Sequence, residues 1–322
     1  MNKDVIPLEV RKHKLVANVR KMTQEEDCVI AVSGGADSMA LLALATAAMM
    51  QESATFQVTV AHVHHGLRDA SDDEFEFVKD ECKRLNVPFL GARIQVTRKD
   101  GSLASGGREA RYDALAEIAR QVGAKRVLTA HHADDQLETM IMALCRGGGL
   151  QQLAGMAKER PLNTTVTLAR PLLDVRKQTL IDICNTCSMP WCEDPTNHSL
   201  DTPRGTLRSS VIPALRALYP SAEKHAANAS TLLHGLIQER ATLIPQGLAW
   251  ERSELSQFEH AIVSEAVHCA LGTNATFDTI ESIASAVKDD STHERTFTCA
   301  NGYIAKVTAH TVEVIHNSPD LS

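Results

Sequence analysis

The sequence predicts an α/β fold with a doubly wound, mainly parallel sheet, and a smaller, mainly helical C-terminal region that ends in a β-hairpin. From residue 28 to about 145, apolar strand-like runs alternate with helical stretches, which is typical of repeated βα units. The tail from residue 295 to 315 alternates apolar and polar residues around Asn301-Gly302, a dipeptide that favours a hairpin turn. These two patterns predict the fold class.

The predicted elements follow in chain order. Hydrophobic periodicity predicts strands at 28–32, 57–63, 87–96 and 127–130, which alternate with helices at 37–51, 71–85, 107–122 and 133–145. A connecting region follows, with polar loops that include 158–165 and with helices at 175–186 and 207–218. We therefore predict an N-terminal extension (1–27), a central α/β domain (28–222) and a small C-terminal domain that is helical and then β (223–322).

Composition narrows the function classes. The net charge of −7 and the pI near 6.1 argue against a surface coated with basic residues for nucleic acid, although local basic patches stay open. Aromatic residues make up 4%, which argues against a stacking platform for single strands. The longest apolar run, residues 39–50, is shorter than the roughly 20 residues that span a bilayer, so we expect a cytoplasmic protein with no membrane partner. Most of the eight cysteines are predicted to be buried and reduced.

Residues 33–38, Ser-Gly-Gly-Ala-Asp-Ser, lie between a predicted buried strand and a helix. Such a turn directs backbone N–H groups and a helix N-terminus at one place, which favours an anion such as phosphate. Gly34 and Gly35 leave room for it, and Ser33 and Ser38 add hydroxyl donors. Asp37 would repel a phosphate unless it holds Mg²⁺. An ordinary βα turn is the alternative, since the Walker A ending is missing.

A second polar segment, His-His-Ala-Asp-Asp-Gln-Leu-Glu-Thr at 131–139, also follows a predicted strand. Asp134 and Glu138 share one helix face, and Asp135 lies three residues before Glu138. A capped helix with an acidic first turn would explain this segment alone. Because the carboxyl ends of parallel strands lie at one sheet edge, we expect one carboxylate, Asp134, to complete a Mg²⁺ site with Asp37.

Two further segments carry candidate residues. His62 and His64 share one face of a predicted strand, but no standard zinc set accompanies them, so a backbone edge that recognises a base is the favoured interpretation. Arg108 and Arg111 share one helix face and suit bidentate contact with phosphate. A solvated basic face with salt bridges to acidic neighbours is the alternative.

Taken together, these residues resemble the PP-loop ATP pyrophosphatases and are most similar to the tRNA(Ile)-lysidine synthetases. The resemblance extends in order and spacing from residue 28 to about 220. The matching segments are Ser33–Ser38, His62–Arg68, Arg108–Tyr112, Thr129–Thr139, Arg146–Gly149, Gly155-Met156, Arg170–Leu173 and Trp191–Asn197. The resemblance departs at Gly205, where the family commonly has Asn, and at Ser102-Leu-Ala-Ser105, where it has Asn-Leu-Glu.

The resemblance implies a PP-loop, Rossmann-like catalytic domain at 28–222 and a carbon–nitrogen ligase. ATP would adenylate C2 of the wobble cytidine in a minor isoleucine tRNA with a CAU anticodon, and pyrophosphate would leave. Free L-lysine would then displace AMP and form lysidine. The implied cofactors are ATP and Mg²⁺, and the implied partners are tRNA(Ile) and lysine. A homodimer is neither required nor excluded by the residues.

The resemblance also implies roles for individual residues. ATP phosphates and Mg²⁺ would be held by Ser33, Gly34, Gly35, Ala36, Asp37 and Ser38. The adenine pocket would be lined by His62, Val63 and His64, and Arg111 would bind phosphate. The cytidine and lysine would be surrounded by His131, Asp134, Asp135 and Glu138, which with Asp37 and Arg108 are the predicted catalytic residues. No single general base is chosen.

Two alternatives stay open at this point. A PP-loop tRNA thiolase would use a cysteine pair or an iron–sulfur cluster, and Cys184-x-x-Cys187 is a candidate pair, although it lies inside a predicted helix. A non-catalytic homologue that binds tRNA or a nucleotide is the other alternative, which the change at Gly205 and the low basicity suggest. The intact segments 33–38 and 131–138 favour the enzyme.

Overall fold

The computed structural model describes residues 5–64, 70–94, 103–193, 202–241 and 244–316. The chain divides into two compact units. The first unit comprises residues 1–142 and 155–231, and the second comprises residues 143–154 and 232–322. The boundaries predicted at residues 27 and 222 remain a prediction.

The strands are β1 Cys28–Ala31, β2 Val58–His64, β3 Phe89–Arg93, β4 Arg126–Leu128, β5 Glu159–Pro161, β6 Thr167–Ala169, β7 Ala249–Glu251, β8 Arg295–Thr298, β9 Tyr303–Val307 and β10 Thr311–His316. The first unit contains a six-stranded sheet in the order β3-β2-β1-β4-β6-β5. All its neighbouring strands are parallel except β5, which is antiparallel to β6. This confirms the predicted mainly parallel sheet.

The helices are α1 Leu8–Arg11, α2 Lys14–Thr23, α3 Ala36–Met49, α4 Ala70–Leu85, α5 Leu103–Gln121, α6 Ala133–Cys145, α7 Leu150–Leu153, α8 Lys177–Thr186, α9 Pro203–Thr206, α10 Ile212–Leu218, α11 Ala222–Ala241, α12 Arg252–Leu255, α13 His260–Leu271 and α14 Phe277–Lys288. A π-helical stretch, Leu207–Val211, joins α9 to α10. No helix within the described ranges is both long and apolar enough to cross a membrane.

Both faces of the sheet in the first unit are covered by helices, and successive side chains of the central strand β1 point to opposite faces. Ile30 and Val32 belong to one core cluster, together with apolar residues of α2, α3, α4 and α8. Val29 and Ala31 belong to another, together with residues of α5. Helix α3 is apolar on all sides, and its residues from Ser38 to Ala48 are buried. A helix of this kind has to lie inside the protein, which fixes where its N-terminus emerges.

The second unit contains an antiparallel sheet in the order β7-β10-β9-β8, and the residues of α13 and α14 complete its core. Asn301 and Gly302, between β8 and β9, both have positive φ angles, 53° and 76°. This is the backbone that a tight hairpin turn requires, so the predicted turn is confirmed. The hairpin is extended on one side by β10 and β7, so that it forms part of a four-stranded sheet.

Two of the differences between the sequence-based boundaries and the structure have a clear physical reason. The region 158–165 was expected to be a polar loop, but it contains the edge strand β5, whose three residues are too few to give a periodic signal. Helix α5 begins at Leu103 rather than at residue 107, so its first turns include Gly106 and Gly107. Glycine has a low helix propensity, and this low propensity obscured the true start.

Candidate functional site

The candidate site lies where the strand order of the first unit reverses. Strands β1 and β4 are neighbours, but the chain continues from β1 to β2 on one side and from β4 to β6 on the other. Ligands of open α/β sheets bind beyond the carboxyl ends of the strands at such a point. The segment 33–38 follows β1, and the segment 129–132 follows β4. The fold therefore brings the two most polar motifs of the sequence to one crevice.

The loop after β1 is held by its own serines. The Ser38 hydroxyl donates to the carbonyl of Gly35 at 2.9 Å and accepts the backbone N–H of Ser33 at 3.1 Å. Gly34 has a φ of +94°, a backbone conformation that favours glycine. Its carbonyl accepts the N–H of Cys192 at 2.9 Å, so a second chain segment supports the loop. Ser38 thus has a structural role inside the loop.

The N-terminus of α3 opens into this crevice. Gly35 is the N-cap residue, and no side chain caps the helix within the described residues. Ala36, Asp37 and Ser38 form the first turn, whose backbone N–H groups precede the intrahelical hydrogen-bonding pattern. Because the helix dipole adds positive charge at this end, the turn is suited to an anion.

His132, which is 4% exposed, lies among three carboxylates. Its Nε2 is 3.4 Å from Asp37 Oδ2 and 3.5 Å from Asp135 Oδ2, and its Nδ1 is 3.6 Å from Asp134 Oδ2. Burial lowers the pKa of His132, but the hydrogen bond to Asp37 and the charges of Asp135, Asp37 and Asp134 outweigh burial and raise it. His132 therefore links the loop after β1 to the first turn of α6.

Arginines from α9, α10 and the π-helical stretch neutralise the acidic residues of α6. Arg204 Nε donates to Glu138 Oε2 at 2.9 Å, and Arg208 Nε donates to Glu138 Oε1 at 2.6 Å. Arg208 also donates to Asp135 Oδ1 at 2.9 Å. Asp134 pairs with Arg216 and accepts the N–H of Lys177 at 3.0 Å, which caps α8. Each of the three carboxylates of α6 thus has a cationic partner.

Asp37 differs from those three carboxylates. Its Oδ1 is buried and has no hydrogen-bond partner among the described residues, and the Lys177 ammonium is 3.9 Å from Oδ2. An unpaired buried carboxylate oxygen is costly, and a cation would remove that cost. No group of three or more metal-ligating side chains occurs in the described part of the chain. Mg²⁺ commonly binds through one or two carboxylates plus substrate phosphates, so Asp37 fits such an ion.

His131 faces a different environment from its neighbour. Its Nδ1 is 2.8 Å from the Thr129 hydroxyl. Burial lowers the pKa of His131 to about 3, and the charges of Arg170, Arg108 and Arg111 act in the same direction. Arg108 is exposed and contacts Tyr112, whereas Arg111 is half-buried. The structure therefore places Arg108 and Arg111 near His131.

The predicted adenine-pocket residues lie on β2. His62 is buried, and its Nδ1 is 2.8 Å from the carbonyl of Val32, directly before the loop at 33–38. His64 is also buried, its Nε2 lies 3.2 Å from Asp72 Oδ1 and, like His62, it makes edge contact with Phe75. Val63 points to the opposite face of the sheet, where it packs against the core cluster that contains Val29 and Ala31. The two imidazoles thus pack against α4. Residues 65–68 and 194–197, which contributed to the family resemblance, lie outside the described residues.

A pocket of about 390 Å³ contains much of this arrangement. Five residues with charged or imidazole side chains line it but were not predicted as site residues: His132, Lys177, Glu193, Arg208 and Arg216. A sequence signal for the arginines exists, because Arg204, Arg208, Ile212 and Arg216 recur every four residues and so share a helix face. Among the described residues, the lining consists of Gly35, Ala36, Asp37, His132, Asp134, Glu138, Lys177, Ile181, Trp191, Cys192, Glu193, Arg208, Ile212 and Arg216.

The cysteine pair lies beneath the loop. Cys184 and Cys187 are buried on α8, and the Cys184 thiol donates to the carbonyl of Ala36 at 3.3 Å. Burial raises the pKa of Cys184 to about 12 and that of Cys187 to about 11. Thiolates are the form of cysteine that ligates metals, so these two thiols are poorly suited to do so in this conformation.

Comparison with known proteins places this architecture in context. The tRNA(Ile)-lysidine synthase of Lactiplantibacillus plantarum is 34% identical over 233 residues, which cover 72% of this chain and 51% of that protein. The enzyme of the same name from Bordetella parapertussis is 40% identical over 198 residues, or 59% of this chain and 56% of that protein. The chain spans about half the length of the curated relatives it matches.

A solved structure shares the fold. The U34-tRNA thiolase of Methanococcus maripaludis, solved with its [4Fe-4S] cluster, superposes with a TM-score of 0.56 and 16% identity, covering 69% of this chain and 78% of that one. A family model described as the PP-loop domain matches residues 8–215, which include all of the site described above except Arg216. This chain belongs to the PP-loop domain family.

Proposed function

We propose that this protein is an ATP-dependent ligase that joins lysine to C2 of the wobble cytidine in an isoleucine tRNA with a CAU anticodon. The observation that carries the proposal is the crevice between β1 and β4, where a helix N-terminus suited to phosphate adjoins a carboxylate with an unpartnered oxygen. The relatives named tRNA(Ile)-lysidine synthase, at 34–40% identity, supply the substrate class.

The reaction would proceed in two balanced steps. The C2 oxygen of cytidine attacks the α-phosphorus of ATP, and the bond to pyrophosphate breaks. The lysine ε-amine then attacks C2, the C2–O bond breaks, and AMP leaves with that oxygen while the nitrogen loses a proton. The first step converts a poor leaving oxygen into a good one. Its main requirement is therefore a place for the charge that develops on pyrophosphate.

We propose that the loop after β1 and the first turn of α3 stabilise the negative charge that develops on pyrophosphate. The residues of this cradle are Ser33, Gly34, Gly35, Ala36, Asp37 and Ser38. Backbone N–H groups held by the Ser38 hydrogen bonds need no rearrangement to accept a phosphate oxygen. Asp37 would hold Mg²⁺, which would neutralise phosphate charge when bound. Lys177, near Asp37, would add a further positive charge.

The other site residues are given roles according to the charges around them. A lysine ammonium would lie near the carboxylates of α6, of which Asp134 and Glu138 line the pocket. His132, whose ring nitrogens lie 3.4 Å from Asp37 Oδ2 and 3.6 Å from Asp134 Oδ2, would orient Asp37. His131 stays neutral and would lie beside the cytidine, with Arg108 and Arg111 on a phosphate. The backbone of residues 62–64 would adjoin the adenine.

The remaining parts of the proposal come from the family. Free lysine is the second substrate, the protein acts in the cytoplasm, and a homodimer is compatible with this activity. A thiolase is disfavoured because the Cys184 and Cys187 thiols are buried and their pKa values are raised. A non-catalytic homologue is disfavoured because the cradle and the carboxylates of α6 are intact.

The test is a lysine-incorporation assay. Purified protein with ATP, Mg²⁺, labelled lysine and a tRNA(Ile) transcript with a CAU anticodon should incorporate lysine and release AMP and pyrophosphate in equal amounts. A transcript with a GAU anticodon should incorporate none. Absence of label from the CAU transcript would overturn the assignment. Iron in anaerobically purified protein, together with incorporated sulfur, would favour the thiolase.

A matched pair of variants tests the metal-binding role. Asp37→Asn keeps the shape of the side chain but removes its charge, so we expect AMP release to fall by roughly 100-fold or more. Asp182→Asn, on the exposed face of α8, makes the same chemical change away from the pocket and should retain full activity. Equal activity in the two variants would remove Asp37 from the proposed metal site.

A further inference from the structure

A cluster of arginines surrounds a single tyrosine on the first unit. The guanidinium carbons of Arg108 and Arg160 lie 5.4 and 4.7 Å from the centre of the Tyr112 ring. Arg108 also donates to the Tyr112 hydroxyl at 3.3 Å. Burial raises the pKa of Tyr112, but the positive charges of Arg108, Arg170 and Arg160 outweigh it and lower the pKa. Three guanidinium groups from α5, β5 and the end of β6 thus act on one phenol.

No carboxylate in the described part of the chain forms an ion pair with any of these three arginines. Arg170 is 2% exposed, donates from Nη1 to the carbonyl of Ala157 at 2.6 Å, and has an Nε that is buried without a hydrogen-bond partner among the described residues. The arginines on the other side of the site differ, since Arg204, Arg208 and Arg216 all pair with carboxylates. The cluster is therefore an uncompensated concentration of positive charge.

Such an arrangement is unfavourable unless an anion binds to it. Like charges repel strongly when they are partly buried, and a buried guanidinium N–H without an acceptor loses the hydrogen bond that water would supply. Arginine forks match the oxygens of a phosphate in a bidentate manner. Cation–π contacts with Tyr112 hold two of the forks in place. The missing ligand therefore has the chemistry of a phosphate group.

The position of the cluster argues for a phosphate other than those of the nucleotide. His132 contacts Asp37 in the cradle, whereas His131, the residue before it, experiences the charges of Arg170 and Arg108. The nucleotide phosphates already have the N-terminus of α3. An RNA substrate brings further phosphates, one on each side of every nucleotide.

We propose that Arg108, Arg160 and Arg170, arranged around Tyr112, bind a backbone phosphodiester of the RNA next to the nucleotide that is modified. This inference rests on the proposed function, and it adds Arg160 and Arg170 to the residues that contact the substrate, with Tyr112 as a residue that positions the arginines.

The test measures equilibrium binding of the CAU tRNA transcript, without ATP or lysine, at several salt concentrations. Arg160→Gln and Arg108→Gln should each lower the slope of log K against log salt by about one. Each should weaken binding roughly tenfold near 0.1 M salt. ATP affinity, measured separately, should change less than twofold. Arg120→Gln is the matched control, since it removes the same charge near the opposite end of α5, and it should change none of these quantities.

Circular dichroism checks that each variant is folded. Because Arg108 and Arg160 lie on separate elements, the second variant still tests the inference if the first fails to fold. An unchanged slope and affinity in both folded variants overturns the inference, as does a wild-type protein that binds no tRNA. Loss of ATP affinity with intact tRNA binding also overturns it and identifies a nucleotide phosphate as the ligand. If wild-type protein forms no lysidine while the variants lose tRNA affinity, the proposed function fails, and the part of the inference that stands is that the arginine cluster binds an RNA phosphate.

Discussion

Two neighbouring histidines show how strongly a single residue depends on its surroundings. His131 and His132 are identical side chains, yet folding lowers the pKa of one and raises that of the other. Burial acts on both in the same direction. The difference comes from charge, because Asp37, Asp134 and Asp135 all raise the pKa of His132, whereas at His131 the charge of Asp135 is opposed by those of nearby arginines. The sequence predicted a polar segment here but could not give these opposite shifts, since the neighbouring charges come from distant segments.

We expect the two rings to titrate separately in histidine-labelled NMR spectra. His132 should titrate above the usual value of about 6.5, and His131 should stay neutral down to about pH 3. Asp37→Asn, which removes one of the three carboxylates, should lower the pKa of His132 and leave His131 unchanged. Two rings that both titrate near 6.5 would contradict the described environment.

The same shifts predict opposite effects on stability. Because the folded pKa of His132 exceeds the unfolded value, its stabilisation is fully present below about pH 6.5 and is lost as pH rises through the folded pKa. His131 stays neutral in the folded protein, so protonation of the unfolded chain lowers stability as pH falls from about 6.5 towards 3. In urea unfolding at pH 5, His131→Gln should therefore lose less stability than wild type relative to pH 7, and His132→Gln should lose more.

At the scale of elements, the loop between β1 and α3 combines two glycines with different requirements. Gly34 needs its positive φ of +94°, whereas Gly35 has an ordinary φ of −73°. A methyl group added at Gly35 would meet only the Ser33 hydroxyl oxygen, at 3.8 Å. The sequence predicted the glycine loop and its role but could not separate the two residues, since either could have carried the left-handed conformation.

Alanine substitutions should separate them. Gly34→Ala places a side chain in a left-handed conformation, so we expect a loss of roughly 1–2 kcal/mol in the free energy of unfolding. Gly35→Ala is the control and should stay within about 0.5 kcal/mol of wild type. Urea denaturation followed by circular dichroism measures both values. Equal losses would show that the left-handed backbone at Gly34 is not what limits the loop.

Elements that lie in continuous apolar runs were predicted well, and short elements in mixed sequence were not. Strand β1 and helix α3 have long apolar patterns, and both were expected where they are found. Strands β5 and β6 have three residues each, and their pairing depends on a sheet edge that only the tertiary structure provides. Arg160 and Arg170 belong to this poorly predicted region. Their contacts with Tyr112 could not be predicted from the sequence, because nearly 50 residues separate Tyr112 from Arg160 in the chain.

At the scale of the molecule, charge is distributed unevenly between the two units. The second unit contains twelve acidic and six basic residues, whereas acidic and basic residues nearly balance in the first. Several of its basic side chains have internal partners, since Arg252 donates to backbone carbonyls and Arg295 pairs with Asp289. A polyanion such as tRNA is repelled by a negatively charged surface. The basic residues of the first unit should therefore account for most of the attraction.

Lys306, on β9 of the second unit, provides the test. Lys306→Gln should leave both the affinity for tRNA and its salt dependence unchanged, in contrast to the loss of about one in slope expected for Arg160→Gln. The measurement is the same salt titration, with unmodified transcript. A slope that falls by about one in the Lys306 variant would show that the second unit contacts the phosphate backbone.

The step from Thr129 to Ala133 has a consequence for insertions and deletions. The two imidazoles are consecutive, and the short connection after β4 turns one towards aspartates and the other towards guanidinium groups. Inserting a single residue before His131 would move that ring into the place of His132. Helix α6 would still form, but the histidine that normally lies near the arginines would now lie among the aspartates. Chain length here is therefore as strict a requirement as residue identity.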